Sequence, residues 1–158
     1  MRNLLSRLAP AAVLLCLLLT ACSSGTAQAR PFDPAADAQT LLDSGAFSEP
    51  LVEMEQDVAC DALYKIDSAT VTGSAVYTTP TAGAEELAIF TLTDEKDAQT
   101  VLSALQQRVE DQRAALENYQ PDEVGKLDNA IVEQRGASVL LLVPADADAA
   151  KTALDSLS

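Results

Sequence analysis

Residues 85–93 read Glu-Glu-Leu-Ala-Ile-Phe-Thr-Leu-Thr, and this stretch decides the fold. Successive side chains alternate across an extended strand, so Leu87 and Ile89 share one face. Ala88 and Phe90 share the other face. Apolar residues on both faces are typical of a strand that is covered on both sides. The stretch therefore predicts a central strand of a sheet.

The longest helix is predicted directly after this strand. Asp94 suits the N-cap position, and Asp97 three residues later resembles a capping box. The pattern continues without Gly or Pro to about Tyr119, and Arg113 and Glu117 are spaced to form an i,i+4 ion pair. We expect the apolar stripe to pack on one face of the sheet, with binding to a partner helix as the alternative. The stripe consists of Ala98, Val101, Leu102, Leu105, Val109, Gln112 and Leu116.

Shorter elements are predicted on both sides of this strand and helix. Downstream, they are a break at 119–122, one helical turn at 122–127, a strand at 130–134, a hairpin turn at Arg135-Gly136, an apolar strand at 138–143 and a last helix capped by Asp146 or Asp148. Upstream, they are a helix at 34–44 capped by Asp33, a short edge strand at 51–55, a helix from Asp57 to about Tyr64 with Val58, Ala62, Leu63 and Ile66 on its buried side, and a strand at 69–78 with a bend or bulge at Gly73.

The pattern as a whole predicts one α+β domain over residues 34–158. We expect a small antiparallel or mixed sheet of four to five strands. The long helix packs on one face, and the shorter helices lie at both ends. The pattern does not predict the strand order.

The N-terminal 21 residues are typical of a bacterial lipoprotein signal. Arg2 and Arg7 precede an apolar run at 8–19, which is shorter than the ~20 residues of a membrane-spanning helix. The run closes on a lipobox, Leu19-Thr20-Ala21-Cys22. We expect cleavage before Cys22 and attachment of diacylglycerol to its thiol, with palmitate as an expected acyl chain. An ordinary signal cleaved elsewhere is the alternative.

A lipidated Cys22 places the protein on the extracytoplasmic face of the cell membrane. Residues 22–33 are rich in small and polar residues and predict a flexible tether to the domain. A tether of this length reaches at most about 40 Å when extended. The domain is expected to be monomeric and to meet its partners close to the membrane surface.

Charge excludes one class of partner. The chain has 24 acidic and 10 basic residues and a net charge of −14 at pH 7. Arg2 and Arg7 lie in the signal, so the chain after cleavage has eight basic residues and a net charge of −16. Nucleic acid is excluded, since its binding depends on cationic contacts to phosphate. The acidity indicates solubility at an anionic envelope or, alternatively, a surface for a basic partner or divalent cations.

Several kinds of catalytic site are excluded by missing residues. The chain has no His and no Trp, which excludes a Ser-His-Asp or Cys-His apparatus and a His-ligated metal. With the signal removed and Cys22 lipidated, Cys60 has no disulfide partner, and we interpret it as a buried small residue. We expect no cofactor, no metal and no catalytic residue.

Four acidic clusters are the remaining candidates for chemistry. Caps at helix starts are the interpretation favoured for residues 94–97 and 146–148, with a calcium site as the alternative. Paired carboxylates at Glu85-Glu86 and Asp122-Glu123 could act as acid and base only if the fold joins them at a cleft.

The order of several motifs resembles that of a known family. The motifs are Leu63-Tyr64-Lys65-Ile66-Asp67, Glu85-Glu86-Leu87-Ala88-Ile89-Phe90, a long helix with Leu105 and Arg108, a break at Tyr119, and a Gly136 hairpin into Ser138-Val139-Leu140-Leu141-Leu142. Over roughly residues 41–153 the chain is similar to the uncharacterised Gram-positive lipoproteins that carry the domain of unknown function 4358. The resemblance implies a tethered α+β domain outside the cytoplasmic membrane and no particular activity.

Three functions are compatible with these features. We expect a non-catalytic interaction or accessory module in the cell envelope, and not an enzyme. A small-ligand-binding lipoprotein is the first alternative, and a carboxylate-dependent hydrolase is the second.

Overall fold

A computed structural model of the protein describes residues 29–157. The predicted signal peptide and Cys22 lie outside these residues. In chain order the elements are α1 (Pro34–Leu42), β1 (Val52–Glu53), α2 (Gln56–Val58) continued by a π-helix (Ala59–Tyr64), a 3₁₀ turn (Ser68–Thr70), β2 (Val71–Thr78), β3 (Glu86–Leu92), α3 (Glu95–Leu116), α4 (Pro121–Leu127), β4 (Ile131–Arg135), β5 (Ser138–Val143) and α5 (Ala147–Asp155).

The five strands form one antiparallel sheet in the order β1-β2-β3-β5-β4. The predicted central strand, β3, is at the centre, where Phe90 pairs with Ser74 on one side and Val139 on the other. The register between β2 and β3 shifts between Val71 and Gly73, which confirms the predicted bulge at Gly73. The α+β fold class is confirmed.

Both faces of the sheet are covered by helices. The face that carries Ala88 and Phe90 packs against α3, α4 and the π-helix, and the face that carries Leu87 and Ile89 packs against α1 and α5. The alternation predicted for β3 is therefore confirmed. The second helical layer consists of the two short helices predicted at the ends of the domain.

Aspartate caps begin three of the helices, as the sequence predicts. The side chains of Asp33, Asp94 and Asp146 each accept two backbone N–H bonds from the first turn of α1, α3 and α5. Such a cap contributes about 1 kcal/mol by satisfying donors that have no partner within the helix.

The helix predicted from Asp57 to Tyr64 differs from the observed one. It begins at Gln56, so Asp57 lies inside the first turn and is not the cap, and Val58 is 53% exposed. From Ala59 the backbone is a π-helix, which brings Cys60 and Tyr64 to the core. Leu63 and Ile66 pack against the core as predicted, but Val58 and Ala62 are exposed. The prediction failed for these two because it assumed an α-helical period, whereas a π turn has a different period.

Two further predictions need correction. Arg113 Nη1 lies 2.8 Å from Asp128 Oδ1 at the end of α4, so Arg113 pairs with this residue of the next helix and not with Glu117. The hairpin turn is Gly136-Ala137, one residue later than predicted, with Gly136 at φ +57°. Glycine suits this left-handed conformation because it has no Cβ.

The packed part of the chain begins before α1. Phe32 is buried and its backbone N–H bonds to Ser138 Oγ at 2.8 Å. The guanidinium of Arg135 lies over the Phe32 ring, 4.2 Å from its centroid. Arg30 binds Asp37 with two hydrogen bonds of 2.7 and 2.9 Å. Residues 30–33, which the sequence assigns to the tether, therefore dock onto the sheet.

No helix between residues 29 and 157 is both long enough and apolar enough to cross a bilayer.

Candidate functional site

The side chain of Glu86, the first residue of β3, lies in a buried polar cluster on the α3 face of the sheet. Arg108 Nη2 lies 2.7 Å from Glu86 Oε2, and Arg108 Nε bonds to the same carboxylate at 3.2 and 3.3 Å. Gln112 Nε2 donates to Oε2 at 2.9 Å, and Tyr64 Oη donates to Oε1 at 2.8 Å. The carboxylate is inaccessible to solvent, so this ring of donors offsets its burial.

The three partners of Glu86 are placed by two elements, α3 and the π-helix. Arg108 and Gln112 are four residues apart on α3 and so share one helix face. Tyr64 ends the π-helix, and its ring meets Phe90 edge-on at a centroid distance of 5.3 Å. Burial and the neighbouring Glu86 carboxylate raise the pKa of Tyr64 well above its ordinary value. The phenol therefore stays protonated and donates its hydrogen bond.

One acceptor in this cluster has no partner among the described residues. Gln112 Oε1 is buried and receives no hydrogen bond from residues 29–157. The orientation of the amide follows from Glu86, because turning it over would bring two oxygens together. The cluster thus tolerates one unsatisfied acceptor while keeping the carboxylate fully paired.

Glu85, one residue earlier, is the buried centre of a second cluster, whose other members are partly exposed. Its Oε1 lies 2.8 Å from Lys126 Nζ on α4. Ser48 donates to this carboxylate twice, from its hydroxyl to Oε1 and from its backbone N–H to Oε2 at 2.8 Å. Lys126 Nζ also bonds to both oxygens of Glu123, at 2.9 and 3.0 Å. The fold therefore brings together Glu85 and Glu123, which belong to the two acidic pairs singled out in the sequence.

The ionisation of this second cluster follows from its contacts. Burial raises the pKa of Glu85, but the bonds from Lys126 and Ser48 outweigh burial and hold that pKa below its ordinary value. The pKa of Glu123 is lowered in the same way, mainly by Lys126. Burial lowers the pKa of Lys126, and its two carboxylate partners raise it further than burial lowers it. All three groups are charged at neutral pH.

These geometries define what the clusters can do. One ammonium is shared by Glu85 and Glu123, which leaves that cluster with a net charge of −1, and one guanidinium neutralises Glu86. A general acid needs a proton near neutral pH, and a general base needs an open approach to substrate. The lowered pKa values of Glu85 and Glu123 disfavour the first role, and their shared ammonium obstructs the second. The arrangement instead ties α3, α4, the π-helix and the Ser48 loop to one end of the sheet.

The partners of the two carboxylates were not predicted from the sequence. Lys126 and Arg108 are distant from Glu85 and Glu86 in the chain, and only the fold shows that they pair. Gln112 was the one signal in the sequence that a buried polar group lies under α3, since it is a polar residue within the apolar stripe of that helix. Tyr64, Glu86 and Arg108, which lie in three of the motifs that resemble the known family, meet in a single cluster.

Two of the other acidic candidates have structural roles. Asp94 and Asp146 are caps, and among residues 29–157 no group of three or more carboxylate or thiol side chains is arranged to hold a metal ion. Cys60 is buried, and burial together with the nearby Asp57 raises the pKa of its thiol. A thiol of that kind is a poor nucleophile.

Two surface grooves lie away from the buried clusters. One, of about 510 Å³, lies between α1 and α5 and is lined by Thr40, Ser44, Asp146, Asp148, Thr152 and Ser156. The other, of about 310 Å³, lies beside β4 where it meets α3 and α4. Its lining is mixed: Val109, Leu127, Ala130 and Val132 are apolar, and Gln106, Glu110, Arg113 and Asp128 are polar or charged.

Comparison with known proteins identifies the family. No curated protein and no solved structure was found to match the chain. The sequence profile described as Domain of unknown function (DUF4358) matches residues 47–144, which is more than half of the chain and includes β1 to β5. The chain belongs to the DUF4358 family.

Proposed function

We propose that this protein is a lipid-anchored envelope protein whose domain acts as a non-catalytic interaction or accessory module. The observation that carries the proposal is the lipobox ending at Cys22, preceded by an N-terminal basic and apolar segment. A diacylglycerol on Cys22 would hold the protein at the extracytoplasmic face of the membrane, since two acyl chains anchor a protein durably.

The start of the packed chain supports close anchoring. Pro31 lies beside Gly136 at the β4–β5 hairpin, and Phe32 is docked under Arg135. Eight residue steps separate Cys22 from Arg30, a reach of at most about 28 Å when extended. The hairpin end of the sheet would therefore stay near the bilayer, and the end that carries Glu85 would point away from it.

The buried ionisable groups support a non-catalytic function. The three buried carboxylates Asp37, Glu85 and Glu86 each pair with a cation and accept further hydrogen bonds. Such networks hold elements together, and their charged groups are already engaged with one another.

Charge supports a basic partner. Six of the eight basic residues between 29 and 157 are in salt bridges with acidic residues of the same chain. The acidic excess therefore lies mostly on the surface. A surface of one sign attracts a partner of the opposite sign and speeds its encounter.

Anchoring is tested by labelling cells with an alkyne fatty acid and separating membranes from soluble protein. We expect the wild-type protein to be labelled and membrane-bound. The Cys22→Ser variant should lose the label, and Cys16→Ser, inside the predicted signal, should keep it. A Cys22→Ser protein that retains the acyl label would contradict the proposal.

The interaction function is tested by crosslinking the tagged, lipidated protein in cells and identifying what co-isolates with it. A reproducible membrane or wall protein would support an accessory function. If none exceeds background, the second candidate function, a small-ligand-binding lipoprotein, becomes the better one. The groove between α1 and α5, which is lined by four hydroxyl side chains, two carboxylates, Ala149 and Ala153, favours that alternative.

A further inference from the structure

We propose that the free edge of β4 binds an extended, basic segment of a partner protein as an added strand of the sheet. The segment would alternate basic and apolar residues. This inference names the partner chemistry for the interaction module and rests on that proposed function. Pairing at an open sheet edge is a general mode of peptide recognition, in which main-chain bonds supply affinity and side-chain positions supply specificity.

The direction of the backbone groups on β4 follows from the neighbouring strands. Leu92 N–H bonds to Ala137 O at 2.8 Å, so the odd-numbered residues of β5 point their backbone groups toward β3. The even-numbered residues of β5 therefore point theirs toward β4, where Ser138 pairs with Arg135 and Leu140 with Glu133. The residues between them, Val132 and Gln134, direct their N–H and C=O groups away from the sheet.

These outward groups have no protein partner within residues 29–157. No hydrogen bond from that part of the chain reaches the backbone N–H or C=O of Val132 or Gln134. Natural edges are usually blocked by a proline, a lysine, a bulge or a very short strand. β4 has five residues and a continuous register with β5, contains neither Pro nor Lys, and its two charged residues, Glu133 and Arg135, are paired with each other.

The opposite edge of the sheet is protected. β1 is only two residues long and covers the end of β2. Beyond it, Met54 N–H bonds to Val76 O at 2.8 Å, and Gln56 of α2 bonds to Ser74 Oγ at 3.1 Å. One edge is thus closed by short segments of the chain, and the β4 edge is left open.

The side chains along β4 indicate the pattern of the added strand. Val132 lines the groove beside α3, with Val109, Leu127 and Ala130. A residue opposite Val132 would lie over the side chain of Val132 and beside this mixed groove, in which Glu110 and Asp128 are the acidic residues. The next residue of the added strand would lie on the other face, opposite Glu133, which accepts a bond from Arg135 Nε at 2.7 Å and whose side chain is still 35% exposed. Opposite charges favour cross-strand pairing, so a basic residue suits that position.

Charge argues against a second copy of the chain as the occupant. Two copies would each bring a net charge of −16 to the contact. Antiparallel pairing centred on Glu133 would also place like charges opposite one another, which is destabilising. A basic segment experiences attraction from the same charges.

The test uses the purified protein in detergent micelles, or from the soluble fraction if the proposed anchoring is wrong. The probe is a capped ten-residue peptide of alternating lysine and valine. The matched control peptide alternates glutamate and valine. We expect the basic peptide to slow hydrogen exchange at the amides of Val132 and Gln134 at least tenfold, and the acidic peptide to have no effect.

Two variants separate strand addition from general charge attraction. Val132→Pro removes an outward N–H that no residue of the described chain uses, and proline is tolerated at sheet edges. Val132→Thr keeps the N–H and the β-branched shape. We expect Val132→Pro to raise the Kd for the basic peptide at least tenfold and Val132→Thr to change it less than threefold. Gln134→Pro replaces the first variant if that protein does not fold.

Several outcomes would overturn the inference. Equal Kd values for the proline and threonine variants would do so, as would peptide-induced protection that maps away from β4. A dimer in sedimentation that Val132→Pro dissociates would assign the edge to a second copy. A partner crosslinked in cells whose capture is unchanged by Val132→Pro would leave the proposed function standing and exclude the β4 edge.

Discussion

Arg108 and Glu86 form an ion pair between α3 and β3, with Nη2 2.7 Å from Oε2. The carboxylate is fully buried and the arginine side chain is 20% exposed. The pair therefore joins the longest helix to the central strand, and the Glu86 carboxylate has no access to water as an alternative partner.

Removing this arginine should destabilise the domain strongly. We expect Arg108→Met to lower the free energy of unfolding by about 3–5 kcal/mol, because it leaves a buried carboxylate without its cation. Arg113→Met is the matched control on the same helix. Its partner Asp128 is 65% exposed, and such a pair contributes about 0–1 kcal/mol. Urea unfolding measures both, and equal losses would contradict this account.

The tyrosine hydroxyl should contribute separately from the ring. Tyr64→Phe keeps the edge-on contact with Phe90 and removes the donor to Glu86. We expect a loss of about 1.5–3 kcal/mol, the range for hydrogen bonds to charged groups. Tyr119→Phe changes a side chain that is 72% exposed and should be neutral within about 0.5 kcal/mol. If Tyr64→Phe is as neutral as Tyr119→Phe, the hydrogen bond does not contribute to stability.

Much of the fold was predictable because its patterns are local. The alternation in residues 86–92 depends only on the period of a strand, and the caps at Asp33, Asp94 and Asp146 depend only on neighbouring backbone N–H groups. The family was recognisable for the same reason, since its motifs are short strand and turn patterns. The π-helix was not predictable by this means, because Cys60 and Tyr64 are related by a period that the α-helical template does not contain.

The buried clusters were predictable only in part. The pairs Glu85-Glu86 and Asp122-Glu123 stood out as carboxylates near predicted strand and helix starts. Their partners are set by how α3 and α4 return over the sheet, which depends on a strand order that the sequence pattern does not determine. The same pattern suggested acid–base chemistry, and the contacts of Lys126 are what favour a structural role.

Acid should weaken the domain through the Glu85 cluster. The folded-state pKa values of Glu85 and Glu123 lie below their ordinary value of 4.5, so the folded state releases these protons more readily than the unfolded state. Their stabilisation is present above pH 4.5 and is lost as the pH falls through the lowered values. We expect the free energy of unfolding, measured in urea, to fall between pH 5 and pH 3.

A variant assigns this acid dependence to one residue. Glu85→Gln cannot lose a charge on acidification. Its free energy of unfolding should therefore differ from that of the wild type by a large amount at pH 7 and by a small amount at pH 3. Glu110→Gln, on the exposed side of α3, corrects for the change in net charge. A difference between Glu85→Gln and wild type that stays constant with pH would show that the lowered pKa of Glu85 does not contribute.

High pH should also destabilise the domain, through Lys126 in the Glu85 cluster and Tyr64 in the Glu86 cluster. The pKa of Lys126 is raised above 10.5 and that of Tyr64 well above 10 in the folded state. The unfolded chain therefore loses these protons first, and stability is complete below about pH 10 and declines above it. Tyr64→Phe should reduce this decline, which unfolding in urea between pH 9 and 11 would measure. An unchanged slope in that variant would contradict the shift of Tyr64.

The hairpin turn allows a test of backbone conformation without loss of contacts. Gly136 has φ +57°, and a methyl group added there would meet Pro31 and Glu95 only at ordinary contact distances. We therefore expect Gly136→Ala to cost about 1–2 kcal/mol, from the left-handed conformation alone. Gly136→Asn should cost less, because asparagine enters that region more readily than other residues with a Cβ. Thermal unfolding distinguishes the two variants. Because asparagine is larger than alanine, a greater loss in Gly136→Asn than in Gly136→Ala would mean that added bulk, and not φ, determines the cost. Pro31 lies beside this turn, and Ser138 next to it holds the backbone N–H of Phe32. A loss of stability that comes from φ alone would therefore also show that the docking of Phe32 does not depend on the side chain at position 136.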